Sequence, residues 1–130
     1  MSRVSAAETR IAPWLAVSDG ARAVAFYKEA FGATEVDRLA DGDRVVVAHL
    51  SIDGAAFWIQ EDAASSPREG GVSSVRMIVT VDDPLAWFAR ALAAGATKVA
   101  DVHDAHGWRT GRVTDPFGHD WELSKRLAES

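Results

Sequence analysis

Apolar positions along this chain fall into short alternating stretches, interrupted twice by a helical spacing. At residues 119–124, His119, Trp121 and Leu123 alternate with Asp120, Glu122 and Ser124, the period-two pattern of a strand with one buried face. Residues 11–17 predict a strand, placed near a sheet edge by Pro13. Asp19 can cap the helix predicted over 21–31, where Ala23, Val24, Phe26, Tyr27, Ala30 and Phe31 recur at helical spacing until Gly32 stops it. Strands at 33–39, 44–52 and 55–60 follow, joined by turns at Asp41-Gly42-Asp43 and Asp53-Gly54. By alternation Val45, Val47, His49 and Ser51 share one face, while Val46, Ala48, Leu50 and Ile52 suit the core. Residues 61–71, rich in Ala, Ser, Pro and Gly, predict a linker, and residues 1–10 a flexible arm.

The pattern then starts again. A strand at 75–81 leads to a helix opened by Asp82-Asp83-Pro84 and stopped at Gly95. A strand at 97–102, a loop at 104–107 and a hairpin of 108–114 with 119–124 complete it, the Asp115-Pro116-Phe117-Gly118 segment supplying the turn. The letters repeat as well. Gly32-Ala33-Thr34-Glu35-Val36 returns as Gly95-Ala96-Thr97-Lys98-Val99, 63 residues on, and Val17, Asp19 and Gly54 return as Val81, Asp83 and Gly118, 64 residues on. The chain is therefore expected to hold two βαβββ repeats, 11–60 and 72–126, within one α+β domain at 11–126.

Composition narrows the function classes. With 130 residues, 48% of them hydrophobic and 25% charged, the chain can bury a core. A formal net charge of −5 argues against nonspecific nucleic-acid binding. No apolar run is long enough to span a bilayer, so no membrane partner is expected, and a cytoplasmic location is. The absence of cysteine removes thiolate chemistry and Cys-based metal sites.

Two segments carry a resemblance over residues 11–126: AFYKEAFG at 25–32 and GRVTDPFGHDW at 111–121. They resemble the vicinal-oxygen-chelate superfamily of glyoxalases, extradiol dioxygenases, fosfomycin-resistance enzymes and bleomycin-resistance proteins, and look most like its PhnB-like branch. The resemblance implies that each unit curls its sheet into a half-barrel, with the helix on the convex side and the concave side toward ligand. It also implies a symmetric homodimer. Enzymes of the superfamily hold a divalent metal with four side chains, whose positions here are Ala12, Trp58, Arg76 and Glu122. Of these only Glu122 can bind a metal, so the resemblance carries no metal site or cofactor over to this chain. A rebuilt site using His49 with Glu122 has too few ligands, and His103 with His106 reads as a pair of exposed loop histidines.

What replaces the metal set is Trp58, Arg76 and Glu122, with Trp14 on the same strand face as Ala12. Placed together in one cavity, two indoles, a guanidinium and a carboxylate would suit a planar ligand by stacking or a cationic one by cation–π attraction. Arg76 and Glu122 are close enough to pair in this arrangement; breaking such a pair, if buried, would cost roughly 3–5 kcal/mol. Trp108 and Arg109 would rim the opening, Arg109 falling where PhnB-like sequences also place an arginine. Trp87 and Trp121 belong to the core. The candidate ligand-binding set is thus Trp14, Trp58, Arg76, Glu122, His49, Arg109 and Trp108, with no catalytic residue assigned. The leading expectation is a metal-free binder resembling bleomycin-resistance proteins, sequestering an aromatic or cationic compound, possible antibiotics included. A metal-dependent glyoxalase-like lyase, isomerase or dioxygenase, and a non-catalytic structural or regulatory domain, stay open beside it.

Overall fold

The structure is a computed structural model and describes residues 7–65 and 75–128. The elements run β1 (Trp14–Val17), α1 (Gly20–Phe31), β2 (Thr34–Asp41), β3 (Arg44–Ile52), β4 (Ala55–Glu61), β5 (Arg76–Thr80), α2 (Pro84–Ala94), β6 (Thr97–Ala105), β7 (Trp108–Thr114) and β8 (Asp120–Arg126). They form two four-stranded sheets, ordered β1-β4-β3-β2 and β5-β8-β7-β6. The α+β class and the βαβββ order of both units are as expected. Residues 1–6 of the expected arm and 66–71 of the expected linker lie outside the described residues.

The repeat reaches down to the register. Trp14, Leu15 and Ala16 pair in parallel with Trp58, Ile59 and Gln60, and Ile78, Val79 and Thr80 pair with Glu122, Leu123 and Ser124. Both helices are built alike. Asp19 accepts from Arg22 N and Asp83 from Ala86 N, and left-handed Gly32 and Gly95 close the C-termini. Gly20 is needed for a different reason: a Cβ there would lie 2.0 Å from Val45 O, so α1 meets β3 backbone to backbone. Glu61 ties this corner, accepting from Gly20 N at 3.1 Å and from Arg44 Nε at 2.7 Å; these bonds hold its carboxyl below the usual range.

Three local expectations change. The first strand begins at Trp14 rather than residue 11. Val45 is buried and Val46 is not: Leu39 pairs with Val47 and Ala40 with Val45, so Val46 bulges out and the alternation flips there. β6 runs on to Ala105, taking His103 into the strand. The loop shrinks to His106-Gly107, both at positive φ (54° and 82°), the geometry of a tight hairpin turn.

One core serves both units. Tyr27 and Phe31 of α1 contact Trp121 of β8, with ring centroids 5.5 and 4.6 Å apart. Phe57 of β4 meets Trp121 edge-on at 5.6 Å. The Asp115 carboxylate, 4% exposed, is the polar centre of this core. Tyr27 Oη and Trp121 Nε1 donate to its Oδ2, and the backbone N–H groups of Phe117 and His119 to its Oδ1. Four donors satisfy a buried anion without a cation. Burial, and then the neighbouring Asp115 charge, push the Tyr27 phenol well above its ordinary pKa. His119 turns away from Glu122, its Nε2 lying 2.8 Å from Ala16 O of β1.

Candidate functional site

Because Phe57 and Trp121 meet in the core, the helix-side faces of the two sheets converge. Strand alternation therefore turns their neighbours Trp58 and Glu122 away from that contact. Within the single chain Trp58 and Glu122 border different hollows, and Trp14 and Ile78 are both exposed, at 54% and 59%.

On the first face the side chains form a ladder. Register places Trp14, Trp58, His49 and Asp37 in one row across β1, β4, β3 and β2. The His49 ring lies flat on Trp58, 4.1 Å between centroids and 5° from parallel, and Trp14 stacks on the other side at 6.0 Å. Trp14 Nε1 donates to Gln60 Oε1 at 2.9 Å, which fixes the indole edge; one Trp14 face lies toward Trp58, and the residue as a whole is half exposed. Asp37, Arg38, Leu39, Val47, His49 and Trp58 line a shallow hollow of about 320 Å³ on this face.

The equivalent row on the second face runs Ile78, Glu122, Arg112 and Ala100 across β5, β8, β7 and β6. Arg76 Nη1 donates to Glu122 Oε1 at 3.2 Å, so the expected pair forms. It is not buried, however. The Arg76 side chain is 43% exposed, which replaces the 3–5 kcal/mol of a buried pair with about 0–1 kcal/mol. Ile78, Glu122, Ser124, Thr110, Trp108 and His103 border a hollow of about 400 Å³. Arg126 sits 5.9 Å over the Trp108 ring. Arg109 does not share this face with Trp108, since the two are consecutive on β7. It is held by both oxygens of Asp104, at 2.8 and 3.1 Å, a bidentate bond that raises the guanidinium's pKa and lowers the carboxyl's. Sequence reasoning missed Arg112, Thr110 and Ser124. The signal was available: Arg112 and Glu122 are equidistant from Phe117, which makes them partners across the hairpin.

The metal positions can be tested on this geometry. Ala12, Trp58 and Arg76 supply no donor for a divalent cation, and Glu122 is engaged by Arg76. Among the described residues no three His, Asp or Glu side chains converge on a point. The donor set does not fit a divalent metal, and no chemistry is routed through one here.

Paired βαβββ units with matched registers define a class of proteins. The family profile of the Glyoxalase/Bleomycin resistance protein/Dioxygenase superfamily matches residues 8–123, and the chain belongs to that family. It is 37% identical over 131 residues to an uncharacterized protein of Mycobacterium bovis, covering 94% of this chain and 86% of that one. Among solved structures it is similar to TioX from Micromonospora sp. ML1, with TM-score 0.74 and 28% identity over 92% of this chain and 100% of that chain. FosX, a genomically encoded fosfomycin resistance protein from Listeria monocytogenes, shares the fold at TM-score 0.71 and 19% identity, covering 92% of this chain and 94% of that one. No helix among the described residues is long and apolar enough to cross a membrane.

Proposed function

We propose that this protein is a metal-free binder of flat aromatic compounds, of the PhnB-like branch, and that two copies build its cleft. The observation that carries the reading is the His49–Trp58–Trp14 stack on an open sheet face, with the half-exposed Trp14 indole at its end. The indole at the end of such a stack offers its outer face to a planar ligand, worth about 0.5–1.5 kcal/mol per pair.

The second copy is argued from the edges. β1 and β5 each end a sheet, and a strand at a sheet edge is a template for another strand. Setting β1 of one protomer beside β5 of its partner would extend the ladder into the opposite row, with Trp14 next to the partner's Ile78. The cleft would then have a π wall from one copy and a polar wall from the other. This homodimer restores the set that a single chain separates. Sequestration of an aromatic toxin, an antibiotic among them, is the activity such a cleft performs without chemistry.

Two measurements test it. Sedimentation should give a dimer; a monomer throughout the micromolar range would leave the two rows apart and overturn the composite cleft. Titration with the neutral probe 2-naphthalenemethanol should quench intrinsic tryptophan fluorescence. Trp14→Ala should weaken that binding by about 1 kcal/mol, roughly fivefold. Absence of quenching in the unsubstituted protein would sink the aromatic reading.

A further inference from the structure

Building on that aromatic reading, we propose that Arg112 anchors an anionic group of the ligand, so that the cargo is a flat aromatic acid. Register places Arg112 in the middle of the second face, between Glu122 on β8 and Ala100 on β6, where His49 stands on the first. Its Nε is buried and has no hydrogen-bond partner. A buried donor left unmade is costly, and sites that keep one call for an explanation.

The neighbouring charges sharpen the point. Glu122, directly across the hairpin, is engaged by Arg76. Arg109 is taken by both oxygens of Asp104 on the other side of β7. Among the described residues Arg112 has no ion pair. On the same hairpin face the buried Asp120 carboxylate accepts from the Thr114 hydroxyl at 2.8 Å and balances the count of charges, so it is the unpartnered Arg112 Nε, and not net charge, that favours an anion. A carboxylate could accept from Nε and a terminal nitrogen of the guanidinium together, the side-on bidentate bond to which arginine is suited. The Thr110 hydroxyl, two residues along the same strand face, borders the adjoining hollow and can donate to a second acceptor.

The test compares 2-naphthoate with neutral 2-naphthalenemethanol by quenching of tryptophan fluorescence. The unsubstituted protein should bind the naphthoate about tenfold more tightly, an advantage that shrinks with added sodium chloride. Arg112→Gln should erase the preference, Arg112→Lys should keep part of it, and Glu122→Gln should enlarge it by freeing Arg76. Equal affinity for the two probes, or a preference that survives Arg112→Gln, overturns the anion subsite while leaving the aromatic cleft standing. Quenching by neither probe overturns the cleft itself and the subsite with it. Should Arg112→Gln not fold, the salt dependence of the unsubstituted protein and the Arg112→Lys variant decide the matter.

Discussion

Across the first sheet the outward row reads Trp14, Trp58, His49, Asp37; across the second it reads Ile78, Glu122, Arg112, Ala100. The positions correspond one for one, yet only Trp14 and Ile78 share even an apolar character. The inward rows behave differently. Leu15 matches Val79, Phe57 matches Trp121 and Ile59 matches Leu123, apolar for apolar at the same 64-residue offset. The contrast separates two demands on one backbone. The inward residues of both units must fill one shared core at near-crystalline density, so their character is held. The outward residues answer to whatever occupies the face, and there the units have divided the work: one stacks, the other carries charge.

The largest expected effect comes from breaking the seam between the two units. Asp115 has no counterpart in the first unit, where the β3–β4 connection is the two-residue Asp53-Gly54 turn. It joins the units through Tyr27, 88 residues away in sequence. Asp115→Ala would strip the acceptor from two side-chain and two backbone donors, at about 1–3 kcal/mol for each that water cannot reach. Urea unfolding should show a loss of about 4 kcal/mol or a failure to fold. A loss below about 1 kcal/mol would mean that the seam does not depend on this carboxylate.

Gly20→Ala ranks next. The substituted Cβ has only the Val45 carbonyl to displace, and backbone does not yield as a flexible side chain does. Overpacking of this kind costs about 1–3 kcal/mol. The matching position of the second unit, 64 residues on, is Pro84, which starts α2 with a ring in place of a close approach. An unchanged midpoint for Gly20→Ala in the same urea assay would show that α1 can slide away from β3.

Local chemistry made most of the fold legible. Caps, turn glycines and periodicity placed both helices and eight strands, and the offset matched equivalent positions of the two units. The failures share a cause, in that they depend on contacts between distant residues. The bulge at Val46 breaks a strict alternation that sequence reasoning must assume. The tight His106-Gly107 turn is the exception, a local feature: histidine is among the non-glycine residues enriched at positive φ. Asp115 read as a turn residue because its donors Tyr27 and Trp121 become neighbours only after folding. Alternation turns Trp58 and Glu122 away from Phe57 and Trp121, but that they border different hollows within one chain depends on how the two sheets pack.

A pH experiment probes the seam more gently. Tyr27 is the only tyrosine in the chain, so tyrosinate absorbance reports on it alone. Its folded pKa is raised, hence the folded state holds the proton more tightly than the unfolded chain does. The resulting stabilisation is fully present below the unfolded value, about 10, and is lost as pH rises through the folded value. Tyrosinate should therefore appear late, well above pH 10, and together with unfolding. A Tyr27→Phe variant should lose this alkaline dependence. Titration of the intact fold at the ordinary phenol pKa would contradict the burial and the Asp115 contact.

The smallest effect is expected on the second outward face, and its smallness is informative. Arg76→Gln removes the partner of Glu122, yet the Arg76 side chain is nearly half exposed and water can replace it. The expected loss of stability for the isolated protomer is about 0–1 kcal/mol. In the proposed dimer the same face is covered by a partner, water is excluded, and leaving Glu122 unpaired becomes expensive, about 3–5 kcal/mol for a pair that is truly buried. The two cases separate in an unfolding series run against protein concentration. A penalty that stays near zero when dilute and grows as the protein is concentrated places the Arg76–Glu122 pair beneath the partner. A penalty that is small and independent of concentration leaves it on an open surface, and then the two rows have no common cleft to divide.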